Sequence, residues 1–262
     1  MKNSMSTVLA ALANTLALAG VLAVNGLANI LPINGLNTGQ VSASYPSLFT
    51  PAGITFSIWS IIYLLLIGFV VLQWFRLNDV LISTVYRRIT PLFIISSIFN
   101  MAWIIVWHYL YVWTSVLIMI LLLITLTILF MRLQQEKFSS TAERVFISLP
   151  FTIYFAWICV ATIANISAAL ISLKSSSYVF SSETWTIIVM IVALLLAFYI
   201  TLRFKKPAFA AVVTWALAGI YMRSFAEDNE LITSVALLLA VLCGLLFFYS
   251  GIRNLRTFTS TR

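Results

Sequence analysis

The chain alternates long uninterrupted apolar runs with short polar stretches. The clearest run is Phe49–Gln73, FTPAGITFSIWSIIYLLLIGFVVLQ. Its opening, Thr50-Pro51-Ala52-Gly53, predicts a helix start, with threonine as a cap and proline at a first helical position where it has no N–H to lose. From Ile54 the run stays uncharged for about 20 residues, enough to cross a hydrocarbon core roughly 30 Å thick. Phe56, Trp59 and Tyr63 recur at i, i+3 and i+7 and share one face.

Seven further runs fit the same template: Met1–Leu31, Ile89–Leu110, Thr114–Met131, Val145–Leu173, Thr184–Leu202, Pro207–Phe225 and Leu231–Ile252. Strands of a membrane barrel would be about ten residues long and would alternate, so continuous runs of this length predict helices. The expected fold is an all-α integral membrane protein, a bundle of eight transmembrane helices. A secretory signal peptide competes for Met1–Leu31, with Lys2 and A-x-A triplets in its favour, but its apolar core is usually only about 7 to 15 residues. The longer run reads as a first span. Within it, Asn14, Asn25 and Asn29 read as hydrogen-bonding glue between helices. Ile89–Leu110 repeats the aromatic spacing with Asn100, Trp103 and Trp107, and Val145–Leu173 carries Tyr154, Trp157, Ala161 and Asn165 on one stripe with Thr162 beside it. Thr114–Met131, nearly pure Leu and Ile, is expected to face lipid. Pro32–Thr50 is a charge-free loop of a length that is usually functional or disordered.

Composition confirms the class: 62% of the residues are hydrophobic and 8% charged, with a mean hydropathy of +1.07. Such values exclude an ordinary water-soluble globule. The net charge of +8 suggests a nucleic-acid partner only until the charges are placed on alternate connections. Lys2, Arg76, Arg87, Arg88, Arg132, Lys137, Arg144, Arg203, Lys205, Lys206, Arg253, Arg256 and Arg262 fall on one side, and Lys174 and Arg223 on the other. That asymmetry predicts both termini in the cytoplasm and reads the basic residues as topology signals, not as a nucleic-acid surface. Near Pro207, Arg203, Lys205 and Lys206 also suit lipid headgroups. Glu227, Asp228 and Glu230 beside Arg223 read as a solvated loop, with weak cation attraction as the sharper alternative.

Orientation gives depth. At about 1.5 Å of rise per residue, Trp59 lies roughly 12 Å below the outer face and Tyr63 near the midplane, while Trp103 and Asn165 lie about 10 Å below the same face. The three stripes converge on the outer half, under Pro32–Thr50. Interfacial belts account for Trp74, Trp107, Trp113 and Trp185, but Trp59, Asn100 and Trp157 sit too deep for one. Buried amides are most often helix glue, a reading that competes evenly with ligand contact for Asn100 and is preferred for Asn165. An aromatic wall with a few amides suits a flat, apolar ligand with a weakly polar edge.

Chemistry of other kinds lacks players. His108 is the single histidine and sits at a helix end, Cys159 and Cys243 lie in mid-span, and no span interior holds a Lys, Arg, Asp or Glu. No catalytic residue, metal ligand or cofactor is therefore expected, and the chain is not expected to be an enzyme.

PAGITFSIWSIIYLLLIG resembles the PPGWVFGPVWTLLYxxMG stretch of the translocator protein family (TspO/MBR), also called tryptophan-rich sensory proteins or peripheral-type benzodiazepine receptors. IFNMAWIIVW is similar to that family's LNxxWSxLFF segment, and LPFTIYFAWICVATIANISA to its LxPYxxWVxFATxLNxxI segment, over about residues 5 to 173. The resemblance implies a five-helix fold that binds porphyrins, sterols or synthetic aromatic ligands under the loop joining the first two helices. By that likeness the ligand-binding positions are Trp59, Tyr63, Asn100, Trp103, Tyr154, Trp157, Ala161 and Asn165. It also implies a division into a translocator-protein-like five-helix bundle, 1–173, and an additional three-helix membrane segment, 174–262, without counterpart. Departures from the pattern fall at Ala52, Ile54, Ser57 and Ile58.

The resulting expectation is a membrane binding or sensory protein with an aromatic intramembrane cavity for a planar hydrophobic ligand, porphyrin-like or sterol-like, in the inner or plasma membrane. Its expected partners are that ligand, a tetrapyrrole among the options, the lipid bilayer and a second copy in a homodimer. A transporter or facilitator of small hydrophobic molecules is the alternative. Its ion-coupled form is disfavoured by the lack of mid-membrane ionisable residues and of a repeat between the halves, while a facilitator for a neutral apolar compound stays open. A scaffold, whose aromatic stripes only pack helices, is the third.

Overall fold

The computed structural model describes residues 5–30, 33–173 and 181–259. Lys2, Leu31, Pro32, Lys174 and Arg262, which enter the charge count and the loops above, lie outside the described residues. Among the described residues, eight helices are long and apolar enough to cross a membrane, and the expected all-α membrane architecture holds. In chain order the elements are α1 (Met5–Ile30), a 3-10 turn (Ile33–Gly35), the short α2 (Thr38–Ala43), a second 3-10 turn (Gly53–Ser57), α3 (Ile58–Phe75), α4 (Val80–His108) and α5 (Val112–Leu133). Then come the short α6 (Thr141–Glu143), a π turn (Arg144–Ser148), α7 (Leu149–Ser172), α8 (Ser182–Phe204), α9 (Pro207–Ala226) and α10 (Glu230–Thr259).

Three boundaries differ from expectation for identifiable reasons. The helix expected from Thr50-Pro51 begins as α-helix only at Ile58, because the Ala52 N–H is committed to Gly219 O at 2.9 Å and Thr55 N–H turns back to Ala52 O. The span expected from Ile89 starts at Val80, where the Asp79 carboxylate caps the N–H groups of Leu81 and Ile82 at 3.1 and 3.2 Å. Arg87 and Arg88 thus sit on the first turns of α4, exposed, reaching out along the helix surface as long cationic side chains do. The third is the loop Pro32–Thr50, which contains the 3-10 turn and α2. Asn34 and Gly35 enter α2 with φ of +57° and +77°, a region that asparagine and glycine tolerate.

The chain forms two compact units, one of Met1–Ala43 with Ile58–Phe155, the other of Ser44–Ser57 with Ala156–Arg262. These units concern compactness and cut the chain at other places than the division at residue 173, which concerns likeness to a five-helix fold.

In the first unit α1 packs on α3 and α4, and α4 packs on α5. Its core centres on Phe69, whose ring meets Tyr86 at 4.8 Å, Phe151 at 5.0 Å and Phe93 at 5.3 Å between centroids. The Tyr86 hydroxyl donates to Phe69 O at 2.8 Å, so the ring contacts are reinforced by a buried hydrogen bond. α5, the span expected to face lipid, buries one face, including Leu122, Leu126 and Leu129, and exposes an apolar one, including Leu117, Leu121 and Ile124.

The second unit packs α9 on α10 and α8, and α8 on α10. Its buried faces are rich in small residues, Ala193, Ala197, Ala210, Ala216, Ala236 and Ala240, which let helices approach closely in a bilayer. Lys205 closes α8 with a φ of +56°, and Pro207 opens α9. At the other end of α9, Arg223 pairs with Glu227 at 2.9 Å, so the acidic loop is partly neutralised by its own helix.

Candidate ligand site

In the first unit four helices contribute to one cluster of amides and rings. Asn25 on α1 donates to Asn100 Oδ1 on α4 at 2.8 Å, and Asn100 Nδ2 donates to the Tyr154 hydroxyl on α7 at 3.0 Å. All three are buried, and Asn100 has no exposed surface. The relay gives the buried Tyr154 hydroxyl a fixed hydrogen-bond partner. Against that phenol stands Trp59 of α3, edge-on with centroids 5.9 Å apart, and Trp59 stacks on Tyr63 at 5.6 Å and 20°. Trp59 and Tyr63 are only half-buried, so this wall is accessible along one side. The Tyr63 hydroxyl is buried and turned toward Asn100 and Tyr154. Among the expected site residues, Trp59, Tyr63, Asn100 and Tyr154 are brought together here.

Trp103 lies on the same helix as Asn100 but stacks on Trp107, with centroids 6.0 Å apart and 15° between planes. Both indoles are buried, so Trp107 is not the belt residue expected from its position near the helix end. Trp74 and Trp113 are exposed as a belt requires. Just beyond, His108 is fully buried, and its Nδ1 bonds to Ile104 O at 2.7 Å while Nε2 meets Thr38 Oγ1 at 3.4 Å. Asn34 Nδ2 donates to His108 O at 3.1 Å. The segment 33–43 is therefore held to the end of α4 through the one histidine.

Trp157, Ala161 and Asn165 belong to the part of α7 in the second unit. Trp157 is buried and meets the ring of Phe56 edge-on, with centroids 6.1 Å apart and 87° between planes. Asn165 is buried and Ala161 half-buried. Further along α7, Ser167 accepts the Trp185 indole N–H at 3.1 Å, which places Trp185 in a helix contact.

Two participants were legible only in part. Asn25 has the character of helix glue in the sequence, but the sequence cannot say that its partner is Asn100. Phe56 shares the stripe of Trp59 and Tyr63, and that periodicity was the available signal for it. A second buried amide pair, with Asn14 Nδ2 donating to Gln73 Oε1 at 2.9 Å and Thr90 Oγ1 at 3.0 Å, has the same glue chemistry without aromatic walls. Among the described residues no group of three or more His, Cys, Asp or Glu is placed to hold a metal ion.

No curated protein and no solved structure matches the chain. A family model described as TSPO-like protein matches residues 11–249. That match takes in α8, α9 and most of α10, the spans that likeness to a five-helix fold leaves without counterpart. With the family model covering most of the sequence and reaching into all eight spanning helices, the chain belongs to the TSPO-like protein family.

Proposed function

We propose that this membrane protein binds a planar hydrophobic molecule, porphyrin-like or sterol-like, against the wall formed by Trp59 and Tyr63. The observation that carries the reading is the half-exposed Trp59–Tyr63 stack backed by a Tyr154 phenol fixed through Asn100 and Asn25. A stack that merely packed helices would not need its backing ring oriented by two amides. Stacking on such a face is favourable for any flat π-system, by about 0.5 to 1.5 kcal/mol beyond area burial per ring pair. The family likeness adds Trp103 in the first unit and Trp157, Ala161 and Asn165 in the second to the proposed set, with Trp157 and Phe56 an aromatic pair of the second unit.

The protein resides in the inner or plasma membrane with both termini cytoplasmic, as the distribution of Lys and Arg supports. It acts by binding, without catalysis, and as a homodimer. Titrating the detergent-purified protein with protoporphyrin while following tryptophan emission tests this. Saturable quenching weakened in Trp59→Leu and in Trp157→Leu is the expected result. Quenching that is equal in wild type and both variants removes these residues from the site, and uptake into sealed vesicles faster than in protein-free vesicles would favour the facilitator.

A further inference from the structure

The segment from Thr50 to Phe56, in the second unit, is held by four contacts from one face of α9. Gly219 O accepts the Ala52 N–H at 2.9 Å, the Trp215 indole donates to Thr55 O at 2.9 Å, and Arg223 Nη1 donates to Thr50 O at 3.4 Å. The fourth contact is steric. A β-carbon at Gly219 would collide with the Thr55 hydroxyl and stand 2.9 Å from both Pro51 Cβ and Thr55 Cγ2. Glycine weakens a helix interior, so its presence in mid-α9 calls for a packing reason, and this is one. Thr55 is fully buried, and its hydroxyl faces the glycine without a hydrogen-bond partner. The next residue is Phe56, whose ring meets Trp157.

We infer that α9 anchors the Thr50–Phe56 segment and that Gly219 is a positioning residue for the Phe56–Trp157 pair, which gives α9 a part in the ligand apparatus. The inference rests on the proposed function for its ligand, though not for the anchor. Residues 219, 215 and 223 are spaced by four on one helix face. Their hydrogen bonds go to backbone groups of the segment, and Gly219 also leaves room for the Pro51 and Thr55 side chains. The anchor therefore fixes where the chain runs before Ile58, and so where the Phe56 ring stands.

Hydrogen exchange read by mass spectrometry on the full-length protein in detergent, paired with protoporphyrin titration, tests both parts. Gly219→Leu is expected to speed exchange at Ala52 and Thr55 at least tenfold and to weaken protoporphyrin binding at least fivefold. Trp215→Phe, which removes one donor and keeps a ring, is expected to move both readouts the same way by less, and it serves if the leucine variant does not fold. Gly244→Ala, whose β-carbon would stand an ordinary 3.7 Å from Thr214 Cγ2, is expected to move neither. Unchanged exchange in Gly219→Leu and Trp215→Phe overturns the anchor. Faster exchange with unchanged binding overturns the positioning role. A wild type that takes up no protoporphyrin sinks the ligand reading and the positioning role with it, while the exchange comparison still decides the anchor.

Discussion

The two compact units are held together by different chemistry. In the first, side chains reach from helix to helix through hydrogen bonds: Asn14 to Gln73 and Thr90, Asn25 to Asn100, Asn100 to Tyr154, and Trp74 to Thr15. In the second, alanines and Gly219 bring backbones close, the bonds from α9 to the 50–56 segment go to main-chain carbonyls, and the side-chain bonds between helices, Trp185 to Ser167 and Thr233 to Ser224, go to hydroxyls and not to amides. Both are known solutions to packing helices where lipid is as apolar as the side chains. They differ in what they fix. Directed amide bonds set the orientation of individual rings, which a stacking surface requires, whereas small-residue packing sets the path of the chain and is indifferent to ring rotation.

The largest effect should come from crowding. Gly68 in the first unit is the exception to its amide rule, since a β-carbon there would collide with the Phe146 ring. Gly68→Leu should destabilise by about 1 to 3 kcal/mol, the usual range for overpacking, read as a drop in thermal midpoint in detergent. A neutral result would show that the first unit tolerates close packing changes. Next is Asn100→Leu, which takes the relay bond from the Tyr154 hydroxyl, leaves the Asn25 amide only its bond to Val21 O, and should cost about 1 to 3 kcal/mol. The double variant Asn25→Leu/Asn100→Leu should recover part of that loss, because fewer buried polar groups then lack partners. Additive losses would contradict the relay.

Smaller again is Gln73→Leu. Its Nε2 and the Asn14 Oδ1 already lack partners, so removing the amide should cost no more than about 0.6 to 2 kcal/mol, the range for polar glue between membrane helices. The smallest effect is expected for Gly244→Ala in the second unit, within about 0.5 kcal/mol of the wild type by thermal unfolding. A loss comparable to that of Gly68→Leu would show that the small-residue faces are packed to the limit throughout.

Hydropathy made the eight spans legible, because a bilayer demands some twenty apolar residues regardless of sequence detail. It misplaced the start of α4, where Arg87 and Arg88 look like loop although they lie on helix, and there the Asp79 cap was the better signal. It also put the start of α3 at Thr50-Pro51, because nothing local announces that the Ala52 N–H is taken by Gly219, far along the chain. The candidate site was legible as residue types and stripes. What the sequence withholds is pairing. Asn25 and Asn100 each read as glue, but only coordinates join them and pass the bond on to Tyr154, and only coordinates turn Trp103 toward Trp107.

The account depends most on the amide relay serving a ring that a ligand stacks upon. The direct measurement is protoporphyrin affinity, by tryptophan quenching, in wild type, Trp59→Leu, Tyr154→Phe and Gln73→Leu. The account predicts affinity falling about tenfold, or 1.4 kcal/mol, in Trp59→Leu, by less in Tyr154→Phe, and not at all in Gln73→Leu, which removes glue of the same kind away from the wall. Equal affinity in all four proteins would contradict it.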